Sequence, residues 1–268
     1  MHKQRWLTGI IALPIVILLI VLGGIYFAFL LALVSVIGMW EFDRIQYAKS
    51  DPHPPPIVIG SGYVAAPLMI LAAHAGFPAG ALCLLSAAII AGGAAALLRV
   101  DQAHTTVQHL AGQILGLAYV AGPLVMVLLI RSNPQGVAWI FYLLMVIFAG
   151  DTGAYYVGSY WGKRKLCPQV SPKKTIEGAL GGVAANIVAA SLAQILFLDG
   201  VLWGPAVLLA ILAGAAGQVG DLFESIFKRA AGIKDSGNIL PGHGGILDRI
   251  DALLFAIPVV YGFHCLFL

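Results

Sequence analysis

Acidic and basic side chains that could handle phosphates and a metal ion are concentrated in the C-terminal half of this chain. Charged residues make up only 10% of its 268 residues, and two polar stretches, 159–177 and 223–251, hold most of those in this half. Carboxylates are hard oxygen ligands suited to Mg²⁺, and lysine and arginine bind phosphate oxygens. The first half of the chain has no comparable stretch, so the sequence predicts that any chemistry lies in the second half.

The second polar stretch and its borders contain two pairs of acidic residues at helical spacing. Asp221, Glu224 and Lys228 stand at i, i+3 and i+7, which places them on one helix face. Asp248 and Asp251 are again i and i+3, at the start of the last predicted helix. Ordinary helix chemistry offers an alternative, because acids are stabilised at a helix N-terminus and Glu224 could pair with Lys228 on a surface.

The residues between these acidic pairs favour a binding site over that alternative. They include Lys228-Arg229, Lys234-Asp235 and the glycine-rich run Pro241-Gly242-His243-Gly244-Gly245, whose glycines let backbone approach a ligand closely. Carboxylates converging from separate helix ends suit Mg²⁺, which normally takes one or two of them plus waters and substrate phosphates. His243 could donate to a phosphate or be an exposed turn residue.

The first polar stretch ends in a basic segment before a predicted helix. Ser171-Pro172-Lys173-Lys174-Thr175 brings two ammonium groups and two hydroxyls to a helix N-terminus, which is an environment that attracts phosphates. Alternatively, Lys173 and Lys174 only follow the rule that basic residues accumulate on the cytoplasmic side, and Thr175 caps the helix. Spacing alone leaves both interpretations open.

Asp151 is an ionisable residue inside an apolar segment. It lies about seven residues, or roughly 10 Å, from the cytoplasmic end of its predicted span at 1.5 Å per residue. Such a group usually faces a bundle interior or a wet cavity and is functional by default. The alternative is a buried structural hydrogen bond to a neighbouring helix.

The elements that must position these residues are membrane-spanning helices. Hydrophobic residues make up 60% of the chain, and a hydrocarbon core roughly 30 Å thick needs about 20 apolar helical residues per crossing. Gly178, Gly181 and Gly182 are expected to allow close helix packing. The composition predicts an all-α, polytopic helical bundle with about nine spans, at residues 7–22, 25–42, 57–76, 78–98, 107–130, 137–158, 178–198, 201–222 and 252–268.

The distribution of basic residues predicts the orientation of these spans. With the N-terminus inside and nine spans, the only lysine or arginine left outside is Arg131, as the positive-inside rule requires. The prediction is therefore N-in and C-out, with both polar stretches in the cytoplasm. We divide the chain into an N-terminal hairpin (1–50), middle helices (57–130) and a catalytic region (136–268).

The polar residues as a group resemble those of the phosphatidate cytidylyltransferase family. The resemblance is carried by Ser225-Ile226-Phe227-Lys228-Arg229, Lys234-Asp235-Ser236-Gly237 and Leu240-Pro241-Gly242-His243-Gly244-Gly245-Ile246-Leu247-Asp248-Arg249-Ile250-Asp251, and upstream by Asp151-Thr152-Gly153-Ala154-Tyr155, Gly162-Lys163, Lys165-Leu166, Ser171-Pro172-Lys173-Lys174-Thr175 and Glu177-Gly178. It covers roughly residues 149–255. Two residues depart from the family's pattern: Ser159 stands where a basic residue is usual, and Ile176 where an aromatic one is usual.

The resemblance implies an enzyme that uses CTP, phosphatidic acid and Mg²⁺, with a second cation as a further possibility, in a bacterial inner membrane with its active site facing the cytoplasm. It also implies a homodimer, and no nucleic-acid partner is expected. Asp221 and Asp248 are the first candidates for metal ligands. The other catalytic candidates are Asp251, Lys228, Arg229 and Asp151. The candidates for substrate binding are Ser171, Lys173, Lys174, Thr175, Glu224, Lys234, His243 and Arg249.

Two other classes of protein compete with this interpretation. A CTP-dependent lipid kinase, such as a polyprenol or phytol kinase, would transfer the γ-phosphate instead of the CMP unit. An ion-coupled transporter would also contain many spans and an intramembrane acid such as Asp151. The inverted repeats and midplane charged pairs that are usual in transporters are missing from this sequence, which favours an enzyme.

Overall fold

The chain folds almost entirely into helices. A computed structural model describes residues 2–239 and 244–267. The helices are α1 (His2–Leu22), α2 (Gly24–Gln46), α3 (Pro56–His74), α4 (Gly80–Leu97), α5 (Ala103–Gly116), α6 (Gly122–Arg131), α7 (Gly136–Trp161), α8 (Ile176–Leu196), α9 (Trp203–Ala231) and α10 (Leu247–Phe267). A short 3₁₀ turn, Val100–Gln102, precedes α5, and a π-helical segment, Leu117–Ala121, joins α5 to α6.

The predicted all-α, polytopic class is confirmed. Eight described helical segments are long and apolar enough to cross a membrane, with the stretch Val100–Arg131 counting as one of them. The described apolar part of α1, Ala12–Leu22, is shorter. The crossing by α1 and the N-in, C-out orientation stay predictions.

Two compact units divide the chain differently from the predicted three regions. The first unit comprises Met1–Ser132 with Ala230–Arg249, and the second comprises Asn133–Arg229 with Ile250–Leu268. The three-part division stays a prediction about function. Asp248 and Arg249 thus belong to the first unit, and Asp151 and Asp221 belong to the second.

The first unit buries an apolar core between its helices. Met39 and Phe42 of α2, Ile70 of α3 and Leu117 are at most 1% exposed. Arg131, the basic residue predicted to lie outside, donates from Nε to the carbonyl of Ile20 and from a second nitrogen to Val21 at 2.6 and 2.8 Å. It therefore satisfies carbonyls at the end of α1 that have no partner within that helix.

The second unit is held together by close contact between α7 and α8. A Cβ atom added at Gly153 would lie 2.8 Å from the carbonyl oxygen of Gly181 and 2.6 Å from Cβ of Ala185. A Cβ at Gly178 would likewise lie 2.8 Å from the carbonyl of Ala154. The predicted role of the glycines at the start of α8 is confirmed, because only small residues allow backbones to approach this closely.

A two-stranded hairpin connects α7 to α8, which the sequence did not predict. Strands β1 (Lys165–Cys167) and β2 (Ser171–Thr175) pair antiparallel, with Lys165 opposite Thr175 and Cys167 opposite Ser171. The polar chain leaving a membrane helix must satisfy its backbone groups, and the hairpin does so over a short connection.

More of the second polar stretch, 223–251, is helical than predicted. Helix α9 continues from the apolar segment to Ala231, and α10 already begins at Leu247. The acidic residues Asp221, Glu224 and Asp251 consequently stand on helices, where their side chains are held more rigidly than they would be on a loop.

Candidate functional site

A cavity of about 500 Å³ opens in the second unit where the hairpin meets α7, α8 and α9. The polar or charged residues in its lining include Asp151, Ser159, Lys165, Lys173, Lys174, Thr175, Gln218 and Asp221. Five of these were predicted site residues, from three separate segments of the sequence. The structure therefore brings the intramembrane acid, the basic segment and the first acid of α9 to one place.

An ion pair joins the basic and acidic sides of this cavity. Nζ of Lys174 in β2 lies 2.6 Å from Oδ2 of Asp221 in α9. The side chains are 28% and 36% exposed, respectively, so both still face the cavity. A partly exposed pair of this kind contributes little to stability, and its lysine can exchange one anionic partner for another.

Asp151 of α7 lines the same cavity as Lys174 and Asp221. Its side chain is exposed rather than hydrogen-bonded into a neighbouring helix. The interpretation that it faces a wet cavity is therefore the one that its position supports. Two carboxylates and a lysine in one cavity can bind a cation and an anion together.

Thr175 has the capping role that the sequence left open. Its Oγ1 accepts a hydrogen bond from the amide of Gly178 at 3.1 Å, and its backbone is extended at φ −125° and ψ 155°. The amide of Ile176 donates to the carbonyl of Arg164 at 2.9 Å. Because these two amides of the first turn of α8 already have partners, lysine side chains are better placed than this helix N-terminus to bind phosphate.

A second group of charges lies along α9 and at the start of α10 within the same unit. Nζ of Lys228 lies 2.5 Å from Oε2 of Glu224, and these side chains are 13% and 1% exposed. Asp251 of α10 lies close to Glu224, Asp221 and Lys228. The alternative that Glu224 and Lys228 form a plain surface pair was wrong, because both are largely buried.

Two further contacts hold the hairpin in position. Nε of Arg229 donates to the carbonyl of Val170 in the hairpin turn at 3.3 Å. The carboxylate of Glu177 accepts from the amides of Lys163 and Arg164 at 3.0 and 3.1 Å. The sequence analysis named Glu177 only as part of a motif and gave it no role, although an acid in the first turn of a helix is a recognisable signal.

The remaining predicted residues are distributed over both units. Ser171 is half-buried in β2, while Lys173 is exposed at the cavity. In the first unit, Lys234 and Arg249 are exposed, and His243 lies outside the described residues. Oδ2 of Asp248 accepts from the amides of Ser236 and Gly245, each at 2.9 Å.

Asn186 and Gln218 are polar residues of the second unit that sequence reasoning missed. Asn186 of α8 is completely buried and lines a small polar pocket together with Asp151 and Gln218. Gln218 also lines the main cavity and donates to the carbonyl of Ala179 at 3.2 Å. The signal for these two residues in the sequence is that each is a polar residue inside an apolar helix. That signal does not reveal which neighbouring helix the polar side chain faces.

The donor set suits a metal ion only together with substrate. Among residues 2–239 and 244–267, no group of three or more His, Cys, Asp or Glu side chains could hold a metal ion. Magnesium needs only one or two carboxylates when waters and substrate phosphates complete its octahedral shell. Asp221 fits one such position, because its present partner Lys174 can move to a phosphate.

Taken together, the helices and the cavity are those of a polytopic integral membrane protein in which lysine and aspartate side chains line one cavity. Comparison with known proteins gives the family: the chain belongs to the cytidylyltransferase family, whose model matches residues 3–267. It is 35% identical over 267 residues to the phosphatidate cytidylyltransferase of Bacillus subtilis, covering 99% of this chain and 98% of that protein. It is 33% identical over 266 residues to that of Staphylococcus aureus strain COL, covering 96% and 97%. The chain is thus a nucleotidyltransferase.

Proposed function

We propose that this chain is a phosphatidate cytidylyltransferase, which converts CTP and phosphatidic acid into CDP-diacylglycerol and pyrophosphate. The observation that carries the proposal is the Lys174–Asp221 pair in a cavity that also contains Asp151. A lysine that binds phosphate next to carboxylates that can hold a cation is what the joining of two anionic substrates requires.

The basic side of the cavity would collect both substrates. Lys165, Lys173 and Lys174 all line it, and clustered ammonium groups raise the local concentration of anions. Phosphatidic acid carries its phosphate at the membrane surface, whereas CTP arrives from water. Acyl chains would enter sideways between helices near Asp151, which stands on α7 and lines the cavity.

The reaction itself needs no strong base. A phosphatidate oxygen, which is already ionised, attacks the α-phosphorus of CTP in line, and the bond from that phosphorus to the β-phosphate oxygen breaks as pyrophosphate leaves. Lys174 would exchange its contact with Asp221 for one with the phosphate oxygens on which negative charge accumulates. Lys228 and Arg229 are proposed to bind phosphates as well, with Glu224 and Asp251 orienting them.

Magnesium remains a prediction for this chain, as does a second cation. Asp221 and Asp248 stay the candidate ligands, since either carboxylate could contribute an oxygen to a magnesium ion whose remaining ligands are waters and substrate phosphates. When bound, the metal would offset phosphate charge in the transition state. We also propose, from the family resemblance, that the protein is a homodimer in a bacterial inner membrane and that its active site faces the cytoplasm.

The experiment that tests this function follows a label from CTP. Purified protein in detergent is supplied with phosphatidic acid, Mg²⁺ and CTP labelled at the α-phosphorus. Label in a lipid product, with release of pyrophosphate, is the expected result. Label remaining in soluble CDP would support the kinase instead, and no consumption of CTP with any phospholipid would support the transporter.

A further inference from the structure

Glu41 is a fully buried acid in the N-terminal half of the chain, where the sequence predicted no site. It lies on α2 and is 0% exposed. Its Oε2 accepts hydrogen bonds from Oγ of Ser236 at 3.0 Å and from the amide of Leu247 at 2.7 Å, and its Oε1 accepts from the amide of Ile246 at 3.1 Å. All three partners belong to the same compact unit as Glu41.

Two of these hydrogen bonds end at the N-terminus of α10. The first amides of a helix have no partner within the helix, and the helix dipole favours negative charge there. The amides of Ile246 and Leu247 are of this kind, since α10 begins at Leu247. A carboxylate from another helix therefore caps α10, and its charge is compensated by three donors as burial requires.

Two glycines of the same segment are needed for this approach. A Cβ atom added at Gly237 would lie 3.0 Å from Cδ of Glu41, and one added at Gly245 would lie 2.6 Å from its Oε1. The contact at Gly245 is closer than real Cβ atoms show, and a Cβ at Gly237 would lie closer still to Oε1 of Glu41 than to its Cδ. These glycines thus let the backbone reach the Glu41 carboxylate.

The segment that Glu41 holds also fixes Asp248. Oδ2 of Asp248 accepts hydrogen bonds from the amides of Ser236 and Gly245. Ser236 itself donates to Glu41, and Gly245 precedes Ile246, whose amide also donates to Glu41. Gly244 adopts a φ of +83°, where a side chain would be strained, and a Cβ would lie 2.8 Å from the same oxygen of Asp248. The conformation around Asp248 therefore depends on contacts that converge on Glu41.

We propose that Glu41 is a positioning residue: it holds Ser236 and the start of α10 in place and thereby orients the Asp248 carboxylate. Glu41 itself touches no substrate, because it is completely buried. The expected effect of Glu41 on turnover rests on the proposed function of Asp248. The expected effect of Glu41 on the position of α10 rests only on the observed hydrogen bonds.

The test compares Glu41→Gln with Asp43→Asn. Glutamine keeps the shape of Glu41 but offers an amide group that cannot accept from both backbone amides. Asp43 is another buried acid on α2, 5% exposed, which faces Tyr63 and Gln113 rather than α10. Each variant therefore removes one buried carboxylate from α2. Only the Glu41 carboxylate contacts Ser236 and the start of α10.

The first readout is hydrogen exchange of peptides that cover Ile246 and Leu247, measured on the full chain in detergent without substrate. Glu41→Gln is expected to raise the exchange of these amides at least about tenfold, and Asp43→Asn to leave it unchanged.

The second readout is turnover. Glu41→Gln is expected to lower kcat by roughly 10- to 100-fold and to weaken activation by Mg²⁺ by a similar factor, as the loss of a residue that orients a metal ligand does. KM for CTP is expected to change less than about twofold.

Exchange like that of the wild type in Glu41→Gln, or equal acceleration in Asp43→Asn, would overturn the proposal. If Glu41→Gln does not fold, Ser236→Ala removes one of the three hydrogen bonds and should still accelerate exchange at Leu247; unchanged exchange there would also overturn it. Because exchange needs no turnover, a wild type that makes no labelled lipid would refute the proposed function without deciding the role of Glu41.

Discussion

Nζ of Lys174 lies 2.6 Å from Oδ2 of Asp221, so the hairpin and α9 present opposite charges to one cavity as a pair. In this arrangement the lysine is neutralised by a carboxylate before any substrate arrives. Under the proposed function, an incoming phosphate would compete with Asp221 for the ammonium group, and its binding would free a carboxylate oxygen for a cation. The pair would then couple anion binding to cation binding through a single contact.

Asp221→Asn is expected to lower CMP transfer by at least about 100-fold, because the amide provides neither the charge that Lys174 faces nor a strong metal ligand. The measurement is the initial rate with CTP labelled at the α-phosphorus. Asp199→Asn, an exposed acid in the loop between α8 and α9, is the matched control and should retain activity. Normal turnover in Asp221→Asn, with thermal unfolding unchanged, would remove Asp221 from the metal assignment.

Lys174→Gln is expected to raise KM for at least one substrate by about tenfold, which corresponds to about 1.4 kcal/mol of lost phosphate binding. Each substrate is varied separately so that the affected one is identified. Lys163→Gln serves as the control, since Lys163 is exposed and does not line the cavity. Equal effects of both substitutions would indicate a general loss of positive charge instead of a specific contact.

Thr175→Val is expected to destabilise the protein by about 1 kcal/mol, because the amide of Gly178 loses its acceptor while the volume of the side chain is kept. Thermal unfolding in detergent measures the effect. Thr175→Ser retains the hydroxyl and should unfold near the wild-type temperature. If Thr175→Ser were as unstable as Thr175→Val, packing of the threonine methyl group would be the cause.

Gly153→Ala is expected to destabilise the α7–α8 contact by about 1–3 kcal/mol, because the new Cβ would press against the carbonyl of Gly181. Gly204→Ala is the control, since a Cβ at Gly204 meets nothing within 4 Å. Alanine is the better helix former, so the control should be neutral or slightly more stable. Similar melting of both variants would contradict the close approach at Gly153.

Local features were predictable from the sequence because they depend on neighbours along the chain. The apolar segments predicted the membrane helices, since a bilayer accepts backbone only when its polar groups are paired within helices or closed barrels. The spacing of Asp221, Glu224 and Lys228 placed them on one face before the helix was seen, and Thr175 was recognised as a possible cap. The hairpin was missed because three- and five-residue strands have too little pattern of their own.

The class of protein, the approximate spans and the segments that contain the candidate site residues could be predicted from the sequence, because apolar length and motif residues are properties of contiguous chain. Which of these groups meet became known only from the tertiary structure. It paired Lys174 with Asp221 and brought Glu41 to partners 195 to 206 residues away along the chain. Such contacts depend on how separate helices pack, and a few small residues set the packing by allowing backbones and buried carboxylates to come within hydrogen-bonding distance.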